Sequence, residues 1–312
     1  MISEQVDEVA NIPAQDADRP RSKLWQDDGA KPIASPHTLP AEPLVTIQSG
    51  TSWQALNPFK LWAYRELLYF LTWRDLKVRY KQTALGVVWV VLQPLLATLV
   101  FTVFLGRLVR VGSDGVPYAL FVYIGMLVWT FFSAGVSVTS NSLVGNAHLI
   151  TKIYFPRALI PIAAITARLV DLGIAFVVLV GMMAYYRVGI GPRALMLPAL
   201  TVLLTLLVLA LGMLTSALNV KYRDVAVLLP VLIQLWMYLS PVVYPLSLIP
   251  EPWRGLYSLN PLVGIIEGFR ASLLGRRFDW PTLMVSVAFT ISLLVLAAFL
   301  FRRMESKFAD VV

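Results

Sequence analysis

The sequence predicts an all-α polytopic membrane protein with six transmembrane helices. Its 312 residues are 58% hydrophobic and only 14% charged, and the mean hydropathy is +0.71. A soluble domain of this length covers its core with many more charged residues. In addition, apolar windows of about 20 residues recur along the chain, and each is long enough to cross a bilayer as a helix. These windows place the spans near 84–109, 117–140, 158–186, 194–218, 225–246 and 281–301.

Residues 1–56 differ in composition from the rest of the chain. They carry eight acidic and four basic side chains, are rich in Pro, and contain no sustained apolar run. Ordering such a segment costs conformational entropy that burial does not offset. We therefore predict a disordered, acidic, Pro-rich N-terminal tail, followed by one transmembrane domain over residues 57–312. The tail also lacks the apolar core of a secretory signal peptide.

A basic segment over residues 60–82 precedes the first span. Apolar residues, among them Leu67 and Trp73, alternate there with Lys and Arg. Such a helix is attracted to anionic headgroups by its charge and to the acyl boundary by its apolar area. We predict an amphipathic helix along the inner membrane surface, and a helix packed on a soluble domain is the alternative. Its cations are candidates for binding a lipid-linked diphosphate: Arg74, Lys77, Arg79 and Lys81.

The third predicted span contains two charged residues, Arg168 and Asp171. They are three positions apart and therefore share one helix face. Arg168 lies about 16 Å from the inner end of the span, close to the membrane midplane. Ions at this depth are costly and usually pair or face a water-filled cavity. An intramembrane ion pair is the first interpretation, and substrate or proton handling is the second.

Residues 247–280 interrupt the pattern between the fifth and sixth predicted spans. The apolar stretch Leu262–Leu274 is too short to cross a bilayer and contains Glu267 and Arg270. We predict a re-entrant or interfacial pair of helices on the outer (periplasmic) side, with an ordinary surface loop as the alternative. Five cations would face outward and meet either an anionic polymer or lipid headgroups: Arg107, Arg110, Arg270, Arg276 and Arg277.

The distribution of Lys and Arg predicts the orientation of the chain. With both termini in the cytoplasm, about thirteen cations flank the inner side and eight the outer side. An excess of cations in short cytoplasmic loops is the usual arrangement. We therefore predict cytoplasmic N and C termini.

Several classes of function lack the residues that they need. The chain has no Cys and only two His, His37 and His148. The sequence therefore argues against a thiolate nucleophile, a zinc site or a Ser-His-Asp triad. A membrane glycosyltransferase would need paired carboxylates, whereas Glu267, Asp279 and Asp224 are scattered over different loops. No G-x-x-x-x-G-K-[ST] loop occurs, so we expect no nucleotide, metal or other cofactor in this chain. Nor do we expect a nucleic-acid partner.

A transporter driven by an ion gradient is the main rival interpretation. Such proteins tend to show repeated halves and buried acidic residues that couple to the ion. Asp171 is the only acidic residue deep in a predicted span, and residues 84–186 and 194–301 show no convincing repeat. This rival is therefore weak.

Four ordered sequence blocks carry a resemblance to a known family. They are WRDLKVRYKQTALGVVWVVLQPLL at 73–96, LITKIYFPRALIP at 149–161, NVKYRDV at 219–225, and SPVVYP followed by LNPLVGIIEGFR within 240–270. In their order and spacing, residues 57–305 resemble the membrane subunit of ABC-2-type polysaccharide and polyol-phosphate exporters, which move O-antigen, capsule and teichoic-acid polymers.

The resemblance implies a homodimeric permease that pairs with two separate ATPase subunits. Those subunits would bind the ATP and magnesium, and the dimer would export a lipid-linked polysaccharide across the bacterial inner membrane. Other expected partners are the membrane lipids. Export of another lipid or a polyol phosphate, and a gradient-driven flippase, stay as alternatives.

The resemblance also directs attention to two sets of residues. A substrate channel would involve the first and fifth spans, where aromatic rings and an amide suit a sugar polymer. The same residue types also serve interfacial belts and helix packing. The candidate channel residues are Trp89, Gln93, Phe101, Phe104, Trp236, Tyr238 and Tyr244. Two inner loops would couple to the ATPase, although their charges also serve topology: Asn146, His148, Lys152, Lys221, Tyr222, Arg223 and Asp224.

Overall fold

The computed structural model of the chain describes residues 62–81, 86–152, 155–305 and 308. The predicted tail, residues 1–56, lies outside this part of the chain. All described residues belong to one compact unit. Within them the secondary structure is helical and contains no strand. The all-α prediction is thus confirmed.

The helices follow one another along the chain with short connections. They are α1 Arg65–Lys81, α2 Val88–Phe101, α3 Tyr118–Gly145, α4 Ala147–Lys152, α5 Leu159–Tyr185, α6 Leu197–Lys221, α7 Val225–Tyr238, α8 Glu251–Tyr257, α9 Pro261–Leu274 and α10 Trp280–Glu305. A π-helical segment, Thr102–Leu108, continues α2. A 3₁₀ turn, Pro192–Met196, leads into α6.

Five helical segments of the described chain are long and apolar enough to cross a membrane. They are Val88–Leu108, Tyr118–Gly145, Leu159–Tyr185, Pro192–Lys221 and Trp280–Glu305. They correspond to the first four predicted spans and to the sixth. The protein is therefore a multi-pass membrane protein, as the sequence predicts.

The fifth predicted span, 225–246, does not form one continuous helix. α7 has only 14 residues and ends at Tyr238, so it is about 21 Å long, whereas the bilayer core is about 30 Å thick. The chain then continues through turns and bends over residues 239–244, and Ser240 and Val242 are fully buried there. Pro241 explains the break, because proline disfavours helical backbone in the residue before it and donates no hydrogen bond. A total of six spans stays a prediction.

The predicted helical pair between α7 and α10 is present as α8 and α9. Asn260 caps α9, since its side-chain oxygen accepts a hydrogen bond from the backbone N–H of Leu262 at 3.1 Å. Gly275, with a φ of 69°, ends the helix in the left-handed conformation. Almost every residue of α9 is buried. α9 is therefore a core element, and its re-entry into the membrane stays a prediction.

The main core surrounds α3, which packs against α5, α6 and α9. Two glycines allow α3 and α6 to approach closely. A Cβ atom at Gly135 would lie 2.6 Å from Val208, and one at Gly212 would lie 2.4 Å from Thr139. Because real Cβ atoms do not tolerate such distances, both positions require glycine for this packing.

A second core cluster lies at the other ends of α3, α5 and α6, which the distribution of Lys and Arg predicts to be the inner ends. It joins Leu71 of α1 to Ile150 of α4, Ala158 at the start of α5, Ala217 near the end of α6, and Phe301 of α10. The cluster fixes α1 and α4 to the ends of the long helices.

Candidate functional site

A cavity of about 550 Å³ lies between the end of α1, the first half of α2, and the middle of α3 and α5. Its volume is within the range of about 300–1,000 Å³ that is typical of ligand sites. Trp89 and Gln93 contribute from α2, and Thr130, Ser133 and Ser137 from α3. The wall thus offers aromatic, amide and hydroxyl groups together.

One carboxylate, Asp171, organises the charged side of this cavity. Its Oδ2 accepts from Nη1 of Arg168 at 3.0 Å and from Nη1 of Arg79 at 2.6 Å. Its Oδ1 accepts from the hydroxyl of Tyr80. Arg168 and Asp171 therefore form the ion pair that their spacing suggests, and α1 supplies two further donors. Burial, and then the hydrogen bond to Asp171, raise the pKa of Tyr80, so its hydroxyl stays protonated at neutral pH.

The contact with Asp171 also shows how far α1 reaches along α5. Asp171 is twelve residues after Leu159, the first residue of α5, which corresponds to about 18 Å of helix. Leu71, two turns before Arg79, is buried in the inner core cluster. α1 thus runs beside α5 from its inner end towards the cavity. Its position relative to the membrane surface stays a prediction.

The four cations predicted for headgroup binding do not form one cluster. Lys77 and Lys81 are exposed and share a helix face, because they are four positions apart. Arg74 pairs with its neighbour Asp75 at 2.8 Å. Arg79 lies on another face and is directed into the cavity. Helical periodicity thus separates Arg79 from the two lysines, and headgroup binding by the four cations stays a prediction.

The predicted channel residues of α2 also differ in their surroundings. Trp89 and Gln93 line the cavity. Phe104, in the π-helical segment, is 59% exposed. Phe101 packs against the main core instead. Of these four residues, Trp89 and Gln93 are therefore the two that line the cavity, and a channel role for all four stays a prediction.

Two of the predicted channel residues, Trp236 and Tyr244, stabilise the segment 239–245 that follows α7. The indole N–H of Trp236 donates to Oδ1 of Asn260 at 3.0 Å, and its ring lies edge-on to Phe132. The hydroxyl of Tyr244 donates to the carbonyl of Tyr238 at 2.7 Å and lies 2.7 Å from the hydroxyl of Tyr257. The Tyr238 side chain is 66% exposed. A channel role for these three residues stays a prediction, and for Trp236 and Tyr244 the structure also shows a packing role.

The two predicted coupling segments lie at the same end of the helices. Asn219, near the end of α6, donates to the carbonyl of Ser140 at 3.2 Å and to Oδ1 of Asn141 at 3.1 Å, both near the end of α3. The side chain of Asn146 is occupied as well, because it donates to the carbonyl of Ser142. The remaining predicted coupling residues are exposed: His148, Lys152, Lys221, Tyr222, Arg223 and Asp224.

The predicted outer group of five cations is wrong for Arg270. This side chain is fully buried and pairs with Glu267 at 2.8 Å. Arg276 binds the loop between α2 and α3, through Asp114 at 3.2 Å and the carbonyl of Ser113 at 3.1 Å. The cause is tertiary packing, since Arg270 lies on a face of α9 that packs against Phe121 of α3 and the carbonyl of Val242. Arg107, Arg110 and Arg277 are exposed.

Sequence reasoning missed several cavity residues. Thr130, Ser133 and Ser137 recur at helical spacing in a mostly apolar part of α3, so their shared face was a readable signal. Tyr80 had no such signal, because its contact with Asp171 joins residues 91 positions apart. No group of three or more metal-ligating side chains occurs among the described residues.

Comparisons with known proteins place the chain beside membrane permeases. The sequence model of the ABC-2 type transporter family matches residues 66–274. The O-antigen export system permease protein RfbA of Myxococcus xanthus is 31% identical over 258 residues, which cover 80% of this chain and 97% of that protein. An RfbA protein of Klebsiella pneumoniae is 26% identical over 258 residues, which cover 79% of this chain and 95% of that protein.

A more distant relative is named for a different cargo. The polysialic acid transport protein KpsM of Escherichia coli is 23% identical over 241 residues, which cover 74% of this chain and 91% of that protein. The matched region in all three relatives therefore includes almost the whole relative.

Proposed function

Because the chain belongs to the ABC-2 type transporter family, we propose that it is the membrane permease of an ATP-driven exporter of a lipid-linked polysaccharide. The observation that carries this proposal is the similarity to O-antigen export permeases over nearly their full length. The relative named for polysialic acid transport supports the same cargo class. The cavity is consistent with it, since aromatic faces and hydroxyl groups are the partners that sugars use.

The energy for export comes from a separate subunit in this proposal. The sequence contains no G-x-x-x-x-G-K-[ST] loop, the motif whose backbone amides and lysine hold nucleotide phosphates. A partner ATPase would bind ATP and magnesium, in two copies for two copies of this chain. The permease would itself be non-catalytic and would lie in the inner membrane with both termini in the cytoplasm.

The inner ends of α3 and α6 are the proposed docking surface for the ATPase. They present α4 and the loop Lys221–Asp224, both with exposed charged side chains. The hydrogen bonds of Asn219 to the end of α3 connect the two segments. The inner core cluster connects α4 to α1 and α10. A push on this surface would therefore reach several spans together.

Replacement of both Arg223 and Asp224 by alanine tests the coupling surface. We expect export to fall at least tenfold, while the complex with the ATPase still assembles and ATP hydrolysis continues. The measurement is surface polysaccharide per cell together with ATPase activity of the purified complex. Arg303→Ala is the matched control, because Arg303 is also exposed but lies at the end of α10. Normal export by the double variant would contradict the proposed surface.

The partner itself is tested by affinity purification of the tagged chain. An ABC ATPase should be recovered with it from membranes of the native host. Loss of that ATPase should leave finished polymer inside the cell. Export that persists without any ATPase would contradict the proposal.

A further inference from the structure

The cavity carries more positive than negative charge among its described lining residues. Arg79 and Arg168 face a single carboxylate, that of Asp171. Oδ2 of Asp171 already accepts from both guanidinium groups, and Oδ1 accepts from Tyr80. The carboxylate therefore divides its acceptor capacity among three donors. For Arg168 this leaves a shortage of acceptors, which a further anion in the cavity would relieve.

Arg168 shows the shortage directly. Its Nη1 bonds to Asp171, but its Nε is buried and has no hydrogen-bond partner. A buried N–H of a cation without an acceptor is costly. The N–H groups of a guanidinium fit two oxygens of one phosphate. The carboxylate of Asp171 offers Arg168 only Oδ2, which it shares with Arg79. Arg168 lines the cavity, so a ligand there would be within its reach.

The location of the cavity favours an anion that is attached to a lipid. Asp171 lies about 18 Å along α5, well inside a membrane-spanning helix. Any anion loses hydration at this depth. A phosphate attached to a lipid can enter from the side, and its chain then stays in the acyl region, which favours binding. Trp89, Gln93 and the hydroxyls of α3 would then contact the first sugar beyond the phosphate.

We propose that this cavity within one protomer binds the phosphate or diphosphate ester of the lipid carrier, and that Asp171 is the internal anion that the phosphate displaces from Arg168. The inference deepens the proposed export function and depends on it for the identity of the lipid. While the cavity is empty, Asp171 holds α1 against α5 through Arg79 and Tyr80.

The proposal predicts opposite effects for two substitutions in the same cluster. Asp171→Asn removes the competing charge and should tighten phosphate binding about tenfold. Arg168→Gln removes the main donor and should weaken it at least tenfold, because a hydrogen bond to a charged group typically contributes a factor of this size. If Asp171 and Arg168 served only to hold the helices together, both substitutions would weaken binding or leave it unchanged.

Binding of farnesyl diphosphate to the full-length chain in phosphatidylcholine nanodiscs tests this sign. The dissociation constant is measured for the unsubstituted chain, for both variants, and for Arg303→Gln as the matched control. Size-exclusion chromatography shows which variants are folded, and Arg168→Lys is the conservative replacement if Arg168→Gln does not fold. Tighter binding by Asp171→Asn, weaker binding by the Arg168 variant and no change in the control are the expected results. No change in either variant, or weaker binding by Asp171→Asn, overturns the inference.

Three further ligands identify the source of the anion. Inorganic pyrophosphate in solution should bind much more weakly than farnesyl diphosphate, and farnesol, which has no phosphate, should not compete. Nanodiscs with phosphatidylglycerol should weaken farnesyl diphosphate binding only slightly if the site prefers the carrier. Pyrophosphate as good as farnesyl diphosphate would overturn the lipid part of the inference. Equal competition by farnesol would overturn the phosphate part.

The result is separable from that of the export proposal, because the binding assay needs neither ATPase nor ATP. Binding with the predicted signs, together with no ATP-driven export, would contradict only the proposed function. Export without any effect of Arg168 or Asp171 on lipid phosphate binding would contradict only the cavity.

Discussion

Two ion pairs with the same sequence spacing have different surroundings in this protein. Arg168 and Asp171 are three residues apart in α5, and Glu267 and Arg270 are three apart in α9. The Arg270 side chain is fully buried, whereas 22% of the Arg168 side chain is exposed. Nε of each arginine has no hydrogen-bond partner, but only Arg168 lines the cavity.

Arg270 connects three elements around the break after α7. Its Nη1 donates to Glu267 and its Nη2 donates to the carbonyl of Val242, each at 2.8 Å. Its guanidinium carbon lies 3.6 Å from the ring centre of Phe121 in α3. Arg270 therefore stabilises the segment that follows α7, whereas Arg168 lines a space that a ligand can occupy. The i,i+3 spacing in an apolar helix thus predicts the ion pair. The residues that surround the pair determine whether it is enclosed in the core or lines a cavity.

Arg270→Gln should have the largest effect on stability. The substitution leaves Glu267 and the carbonyl of Val242 without their cation, and removal of one partner from a buried pair costs about 3 kcal/mol or more. Titration of the purified protein with SDS in mixed micelles measures the free energy of unfolding. A loss below about 1 kcal/mol would show that Arg270 does not stabilise the segment 239–245 after α7.

Gly125→Ala should have the second largest effect, because it disturbs the same contact from α3. A Cβ atom there would lie 2.2 Å from the carbonyl oxygen of Val242 and 3.0 Å from Nη2 of Arg270. Forcing the backbone apart costs about 1–3 kcal/mol in a packed core. Gly145→Ala, in the same helix, is the control, since a Cβ atom there meets nothing within 4 Å. Equal unfolding free energies for the two variants would contradict the close approach.

Arg168→Gln should have the smallest effect on stability. Arg168 and Asp171 are partly exposed, and Asp171 keeps Arg79 and Tyr80 as partners. Solvent screening reduces the contribution of such a pair to about 1 kcal/mol or less. The same SDS titration gives the comparison with Arg270→Gln. Equal losses in the free energy of unfolding for the two substitutions would contradict the distinction between the buried Arg270 pair and the Arg168 pair that lines the cavity.

The long spans could be predicted from the sequence because apolar length alone determines them. The prediction of 158–186 corresponds to α5, Leu159–Tyr185, and 117–140 corresponds to the first part of α3. The end of α7 was missed because a hydropathy window averages over Pro241 and does not register where a helix ends. The residues after Tyr238 stay mostly apolar although they form turns and bends.

The candidate site was only partly predictable. The spacing of Arg168 and Asp171 indicated a pair, and the types of Trp89 and Gln93 indicated a polar and aromatic surface. The participation of Arg79 and Tyr80 depends on how α1 packs along α5, a tertiary contact between residues about 90 positions apart. The burial of Arg270 was missed for the same reason, since the sequence does not show which helices cover α9.

Transport by purified components tests the central claim most directly. The chain is reconstituted into vesicles with a fluorescent lipid-linked oligosaccharide, with and without its ATPase partner, and movement of the label between leaflets is measured. We predict transport only when the ATPase and ATP are both present, and none with the chain alone or with a non-hydrolysable ATP analogue. Sustained transport by the chain alone would contradict the claim that this permease depends on a partner for its energy.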